Sequence, residues 1–530
     1  MALLGFKNIR INSKDQTLVN NVSFSIERGE ILSLVGESGS GKSLTCLSIL
    51  QLLPKTLTVK GEIDFESQQF GNCNLLNLPT HQLQKLALKE IAFIFQEPMT
   101  ALNPVQTCGQ QLLENIKLCG YQKADQKQRL LELLEMVDLN DHERVIHSYP
   151  FQLSGGQRQR VMIAMALVGN PELIIADEPT TALDILLQTE ILGLLKRICK
   201  TTNKSMLFVS HDLDAVSEFS DRIAVMYKGE LLELNTTQQI ISNPTHAYTK
   251  ALLACKPSAD KKGYYLTTLK DAQTLDFESV PLIPNQISDQ SILTVDELSK
   301  TYNETYKALE HISFSINEGE SIGLIGESGS GKSTISKILV NLEHASGGKL
   351  SFNFKNGGEL SSNVQMVFQD PFAALNPSLK VKSMLAEVFK KHHPSIKNSD
   401  IKVAMEQLLV KVGLQSSDLE KYPSNFSGGQ RQRLCIARAL AAKPKLLICD
   451  EATSALDLSV QAQILNLLKD LQKSEQLTIL MITHSMAVAA WFCNRIIVLK
   501  NGEIVEQGET ETLFKSPQNA YTQMLFDASH

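Results

Sequence analysis

The sequence predicts an α/β fold: a mostly parallel sheet with helices on both faces, carried twice in one chain of 530 residues. Three observations point there. The octapeptide GESGSGKS occurs at 36–43 and again at 326–333, each time after a short apolar run, Ile31 to Val35 and Ile322 to Ile325. Further apolar runs of strand length alternate with segments of helical period, the pattern of a parallel sheet linked by crossover helices. Finally, landmarks of the first half recur in the second at a fixed offset. Gln96 and Gln369, Ser154 and Ser427, Asp177 and Asp450, and His211 and His484 are all 273 residues apart.

The repeated octapeptide fits G-x-x-x-x-G-K-[ST], the P-loop pattern, in its proper strand–loop–helix context. In the first copy it comprises Gly36, Glu37, Ser38, Gly39, Ser40, Gly41, Lys42 and Ser43, and residues 42–53 read as the following helix. In the second it comprises Gly326, Glu327, Ser328, Gly329, Ser330, Gly331, Lys332 and Ser333. Glycines let the backbone curl so that its N–H groups face phosphate oxygens, and the helix start adds its positive end. These residues predict a P-loop NTPase. Lys42 and Lys332 would reach the β- and γ-phosphates, and the Ser43 and Ser333 hydroxyls would take a place on Mg²⁺.

Each copy opens with an alternating segment, Ile26 to Glu30 and Ile316 to Glu320, which predicts an antiparallel β element before the P-loop strand. The two P-loop lysines are 290 residues apart, so the first copy has 17 more residues before its glutamine, around Thr58 to Glu90. Surface loops are the expected place for them. Leu112 to Leu139 and Val381 to Val412 read as helical, and buried strands are expected at Leu173 to Ala176, Leu446 to Cys449, Met206 to Val209, Thr478 to Ile482, Ile223 to Met226 and Ile496 to Leu499. The domains are therefore expected at 1–255 and 291–530. Residues 256–290 lose the rhythm and read as a linker, which as a coil would span about 33 Å.

Four constellations carry chemistry. Ser154, Gly155, Gly156 and Gln157, with Ser427, Gly428, Gly429 and Gln430, offer hydroxyl and N–H donors at a helix start, suited to a γ-phosphate. The same residues also read as a plain capping box. Asp177 and Glu178, with Asp450 and Glu451, end buried strands beside the P-loop. The aspartates would orient Mg²⁺ and the glutamates would polarise the attacking water. His211 and His484 follow a strand and a hydroxyl residue, in place for a γ-phosphate contact. Gln96 and Gln369 close strands and would touch Mg²⁺ or the attacking water.

Composition narrows the class. A formal net charge of −6 argues against a chain that coats nucleic acid, and no nucleic-acid partner is expected. The nine cysteines include no C-x-x-C pair and read as reduced cytoplasmic residues. The N-terminal apolar run is too short for a signal peptide, and no run approaches the roughly 20 residues that cross a bilayer.

Taken in order, the P-loop, glutamine, Ser-Gly-Gly-Gln signature, Asp-Glu pair and histidine resemble the nucleotide-binding domains of the ABC ATPase family, across both copies. The resemblance implies a helical signature subdomain beside the antiparallel β subdomain. It also implies head-to-tail packing of the two domains and two composite ATP sites, both hydrolytic, each pairing one P-loop with the other domain's signature. Ala182-Leu183-Asp184 and Ala455-Leu456-Asp457 match the family's loop between sites. Tyr302 matches its adenine-stacking aromatic, where the first copy has Asn12-Ser13. Phe426 stands for the signature leucine, and Ser485-Met486 follows the second histidine where the first copy has Asp212-Leu213, which would make the sites unequal.

The segments Glu97 to Pro104 and Asp370 to Pro377, and the tails Asn243 to Thr249 and Ser516 to Thr522, resemble the oligopeptide, dipeptide and nickel importer branch. That resemblance implies two transmembrane permease subunits as partners and an extracytoplasmic solute-binding protein acting indirectly. It also implies a peripheral place on the cytoplasmic face of the inner membrane. The cargo stays open among peptide, nickel chelate, glutathione and opine. The rival reading is a soluble fused ABC ATPase acting on ribosomes. Against it stand the acidic balance and the Leu-Asn-Pro segments.

Overall fold

The computed structural model describes residues 2–180, 183–269, 280–354, 359–454 and 456–527. Ala182 and Ala455, which belong to the expected loops between sites, lie outside the described residues. The chain divides into two compact units, Met1–Leu253 and Ala254–His530.

In the first unit a six-stranded sheet runs in the order Glu230–Thr236, Arg222–Tyr227, Ile31–Val35, Ser205–Ser210, Leu173–Asp177, Ile91–Ile94. All neighbours are parallel except the outermost pair, Glu230–Thr236 on Arg222–Tyr227. Ile31–Val35, Leu173–Asp177 and Ser205–Ser210 are buried at every position, as central parallel strands covered on both faces must be. The second unit repeats this as Val364–Val367, Leu446–Asp450, Thr478–Ile482, Ser321–Ile325, Arg495–Lys500, Glu503–Glu509. Because the strands are parallel, the P-loop and the ends carrying Gln96, Asp177 and His211 emerge at one sheet edge. The histidine strand lies between the P-loop strand and the Asp-Glu strand in each unit.

Each unit also carries the expected antiparallel sheet. The first orders Thr17–Glu27, Ala2–Asn12, Thr58–Ser67, Gly71–Asn74, and the second Tyr306–Asn317, Ser291–Tyr302, Gly347–Phe352. Its apolar face shares one core with the parallel sheet and the P-loop helix. In the first unit that core joins Phe6, Ile63, Cys46, Ile49, Leu173 and Ile175.

Two expectations are corrected. The additional residues of the first copy are not surface loops. They form the edge strand Gly71–Asn74, a short turn of helix Leu75–Asn77 and the helix Thr80–Lys89, and Leu75, Leu83 and Leu86 are buried in the core. Their apolar spacing, with Leu83 and Leu86 three apart, gives the helix a face to bury. The P-loop helix, expected over 42–53, ends at Ile49, and Gln51 takes a positive φ of 52° that no helix continues through.

The segment expected to be a coil-like linker is pinned, where described, to the second unit. Trp491 donates its indole N–H to the carbonyls of Lys261 and Tyr264, Asn466 exchanges two hydrogen bonds with the Leu266 backbone, and Asn285 donates to Gly319 O. Ten residues of it, 270–279, lie outside the described residues.

The helices expected at Leu112 to Leu139 and Val381 to Val412 are each a pair, Cys108–Leu118 with Gln126–Met136 and Val381–His392 with Asn398–Lys411. Each pair leads into the signature helix, Gly155–Ala166 or Gly428–Leu440. No described helix is long and apolar enough to cross a membrane.

Candidate active sites

The P-loop closes on its own lysine. Lys42, almost fully buried, donates to the carbonyls of Gly36 at 2.7 Å and Glu37 at 2.9 Å. Lys332 does the same to Gly326 at 2.8 Å and Glu327 at 2.6 Å. A side chain at Gly36 would bring its Cβ to 2.1 Å from Met226 O, so the close approach of the neighbouring strand requires glycine there.

Beside each loop the buried aspartate meets the P-loop helix. Ser43 Oγ donates to Asp177 Oδ1 at 3.1 Å. In the second unit Ser336 Oγ, one turn further along the helix, donates to Asp450 Oδ2 at 3.2 Å. Burial raises the Asp177 carboxyl above its ordinary value, opposed by the Ser43 hydrogen bond and reinforced by the Glu178 charge. Burial raises Asp450 as well, and the Glu451 charge adds to it.

The next residue gathers the remaining predicted groups. Glu178 Oε2 lies 3.1 Å from Gln96 Nε2 and 3.2 Å from His211 Nδ1. Glu451 lies 2.7 Å from Gln369 Nε2 and 3.6 Å from His484 Nδ1. Glutamine, glutamate and histidine, far apart in sequence, thus converge in both units. Both glutamates have a backbone φ of +46°, in the left-handed region that non-glycine residues seldom occupy. Burial pushes the Glu451 carboxyl up, but the contact with His484, the His484 charge and Lys332 outweigh it and leave it below the ordinary glutamate value.

The signature residues lie apart from their own unit's constellation of bonds and form the capping box. Ser154 Oγ accepts from Gln157 N at 3.3 Å and Gln157 Oε1 from Ser154 N at 3.2 Å, with Ser427 and Gln430 matching them. The two glycines of each signature differ. A Cβ at Gly156 would meet Leu187 Cδ1 at 2.4 Å and one at Gly429 would meet Val460 Cγ1 at 2.3 Å, so helix packing explains both. Gly155 has only Leu183 within 4 Å, at 3.7 Å, and Gly428 has nothing. Packing therefore leaves Gly155 and Gly428 unexplained.

Tyr302 ends the strand Ser291–Tyr302, with the Lys300 ammonium 4.7 Å from its ring centroid. At the matching place Asn12 accepts a hydrogen bond from Thr17 Oγ1 across the hairpin. Phe426 is buried as Leu153 is. Ser485 caps its helix through Val488 N as Asp212 does through Asp214 N and Ala215 N, so the exchange keeps the cap. Asp212 also accepts from Gln188 Nε2 at 2.9 Å, whereas the matching Gln461 bonds to Thr453 O.

Sequence reasoning does not reach Glu233 and Glu506. Glu233 accepts from Thr245 N and His246 N, and Glu506 from Gln518 N and Asn519 N, at the start of the tail helices Ala247–Ala254 and Ala520–Asp527. Tyr521 on the second tail helix accepts from the P-loop N–H of Glu327 at 3.2 Å. The two glutamates share the 273-residue offset, which is the signal available for them.

The family model described as ABC transporter matches residues 19–181 and 309–454, covering both sets of site residues up to the Asp-Glu pairs. The chain belongs to the ABC transporter family. It is an ATPase with two ABC domains in one chain. A second family model, Oligopeptide/dipeptide transporter, C-terminal region, matches 232–280 and 505–530, which include Glu233, Glu506 and both tails. The peptidoglycan transport ATP-binding protein YejF of Agrobacterium fabrum (strain C58 / ATCC 33970) is 40% identical over 523 residues, 96% of this chain and 92% of that protein. The glutathione import ATP-binding protein GsiA of Escherichia coli (strain K12) is 39% identical over 540 residues, 96% of this chain and 86% of that one. Among solved structures, RNase-L Inhibitor aligns with a TM-score of 0.61 at 21% identity, over 94% of this chain and 89% of that chain, a likeness of fold alone.

Proposed function

We propose that the chain powers a membrane importer for peptides or related small solutes, as the ATP-hydrolysing subunit on the cytoplasmic face. The single observation that carries the cargo class is the match of both tails to the oligopeptide/dipeptide C-terminal region. The two named relatives, one for glutathione and one for peptidoglycan, support a cargo with peptide bonds. The division into domains 1–255 and 291–530 with a connecting segment 256–290 is part of the same proposal.

In this reading the P-loops, Gly36 to Ser43 and Gly326 to Ser333, hold the phosphates of ATP. Ser43 with Asp177, and Ser333 with Asp450, supply the hydroxyl and carboxylate oxygens that suit Mg²⁺, with Gln96 and Gln369 nearby. Bound Mg²⁺ would neutralise charge on the β- and γ-phosphates. Glu178 and Glu451 act as general bases on water, and their contacts to His211 and His484 orient them. The signature residues Ser154 to Gln157 and Ser427 to Gln430 serve the other unit's ATP, and Gly155 and Gly428 leave room for its γ-phosphate. Tyr302 stacks on adenine. Two permease chains receive the motion, with a solute-binding protein upstream. Exposed apolar side chains near the glutamines and signatures, Phe151 at 63% and Phe372 at 64% exposure, support such a contact.

The test is affinity capture of the full chain from detergent-solubilised membranes, with partners identified by mass spectrometry. Two different multispanning proteins in stoichiometric amounts are the expected result. Ribosomal proteins without a membrane chain would overturn the proposal and favour the ribosomal reading.

A further inference from the structure

The two P-loop helices differ at several buried places, and one of these differences bears on the buried aspartate. Ser336 and Cys46 occupy the same position, 290 residues apart, three residues after the P-loop serine. Ser336 Oγ lies 3.2 Å from Asp450 Oδ2 and 3.0 Å from Ser333 O. A hydroxyl has one proton. The bond to Ser333 O is the ordinary local one for a helical serine, whereas the bond to Asp450 is charge-assisted and the stronger of the two. Cys46 offers only a thiol, a weak donor. In the first unit the aspartate instead takes its hydrogen bond from Ser43. No hydrogen bond joins Ser333 to Asp450 among the described residues.

We propose that Ser336 is a positioning residue that anchors Asp450 from beneath the second site, and that the first site, with Cys46 there, relies on Ser43 for the same task. The proposal rests on the proposed assignment of Ser43, Asp177, Ser333 and Asp450 to Mg²⁺. Its consequence is an inequality. Removing Ser43 takes away a cation oxygen and the aspartate's anchor together. Removing Ser333 takes away the oxygen alone.

The test uses the full chain with a non-hydrolysable ATP analogue and Mn²⁺ as the probe, bound ion being counted by the loss of its free electron paramagnetic resonance signal. Asp177→Asn and Asp450→Asn assign the two ions to their sites. The expected result is that Ser43→Ala weakens its site more than Ser333→Ala weakens the other. Ser336→Cys should weaken the second site by roughly three- to tenfold, the range of an ordinary hydrogen bond, since the thiol keeps a weak donor. Cys46→Ser should restore part of the affinity lost in Ser43→Ala, a rescue that a merely space-filling role would not produce. The proposal is overturned if Ser336→Cys and Cys46→Ser leave both affinities unchanged while the asparagine variants weaken them. If the asparagine variants also leave Mn²⁺ binding intact, the metal assignment itself falls, and the proposal with it.

Discussion

Gln369 donates its side-chain amide to the Glu451 carboxylate at 2.7 Å, and Gln96 does the same to Glu178 at 3.1 Å. With a histidine on the other side, each glutamate is held in a left-handed backbone conformation by groups from two further strands. In the role proposed for it, such a carboxylate accepts a proton from water. Glu178→Gln with Glu451→Gln is therefore expected to lower ATP turnover by at least about 100-fold, the scale of a lost general base, while ATP binding is kept. Phosphate release and nucleotide-binding assays on the same preparation check this. Undiminished hydrolysis would sink the base assignment.

The repeat makes most of this legible. A fixed offset of 273 residues pairs the glutamine, signature, aspartate and histidine before any geometry, because parallel strands of one length bring their ends to one edge. The contacts among them are not legible. That Gln96 and His211 both reach Glu178 depends on strand order, which periodicity does not encode. Length alone suggests a loop where the helix Thr80–Lys89 stands, although Leu83 and Leu86 carry its apolar spacing. Residues 256–269 read as coil because their anchors, Trp491 and Asn466, are supplied by distant helices.

Asp450 illustrates function held against stability. Burial and the adjacent Glu451 charge raise its carboxyl above the ordinary value, so the folded state binds this proton more tightly than the unfolded state. Above the folded value the ionised form therefore destabilises the fold, and the penalty disappears as pH falls and the group is protonated. Asp450→Asn should raise the melting temperature of the nucleotide-free protein near neutral pH, by about 2–4 °C for a gain near 1 kcal/mol. The gain should shrink toward acid pH. Calorimetry across pH checks the sign, and a lower melting temperature at neutral pH would refute it.

The signature glycines separate packing from chemistry. Gly429→Ala drives a Cβ to 2.3 Å from Cγ1 of the stiff, β-branched Val460, so it should destabilise the fold by roughly 1–3 kcal/mol, the usual range for overpacking. Gly428→Ala meets nothing within 4 Å and should leave the melting temperature near the wild-type value. It should nevertheless depress ATP turnover, because the added methyl occupies the room assigned to phosphate. Thermal melts beside turnover measurements distinguish the two classes.

Glu233 and Glu506 should make tail docking acid-sensitive. Burial alone would raise both carboxyls. The nearby Thr249 hydroxyl and the hydrogen bonds from Thr245 and His246 lower Glu233, and the nearby Thr522 hydroxyl and the hydrogen bonds from Gln518 and Asn519 lower Glu506, bringing both below the ordinary glutamate value of 4.5. A carboxyl lowered in this way contributes stability that is present above 4.5 and is lost as pH falls through the folded value. Hydrogen-exchange protection factors, corrected for the intrinsic rate at each pH, should therefore fall in Ala247–Ala254 and Ala520–Asp527 below pH 4.5. Glu233→Ala, which removes the charged acceptor of the Thr245 and His246 N–H groups, should weaken the first tail by roughly 1–3 kcal/mol at neutral pH.

Trp491 is the sole tryptophan of the chain and is 1% exposed. Its indole N–H is shared between Lys261 O at 3.1 Å and Tyr264 O at 3.0 Å, so its fluorescence reports the second unit and the segment docked on it. Trp491→Phe keeps an aromatic ring but removes the donor. Limited proteolysis within residues 256–269 should then be faster by about tenfold, as expected when roughly 1–2 kcal/mol of local anchoring is lost. In the wild type, denaturant unfolding followed by tryptophan emission should track only the second unit, while circular dichroism tracks both. The two curves should therefore diverge, because two compact units need not unfold as one. Coincident transitions would show that the units unfold together, and unchanged proteolysis in Trp491→Phe would show that the indole does not hold the segment.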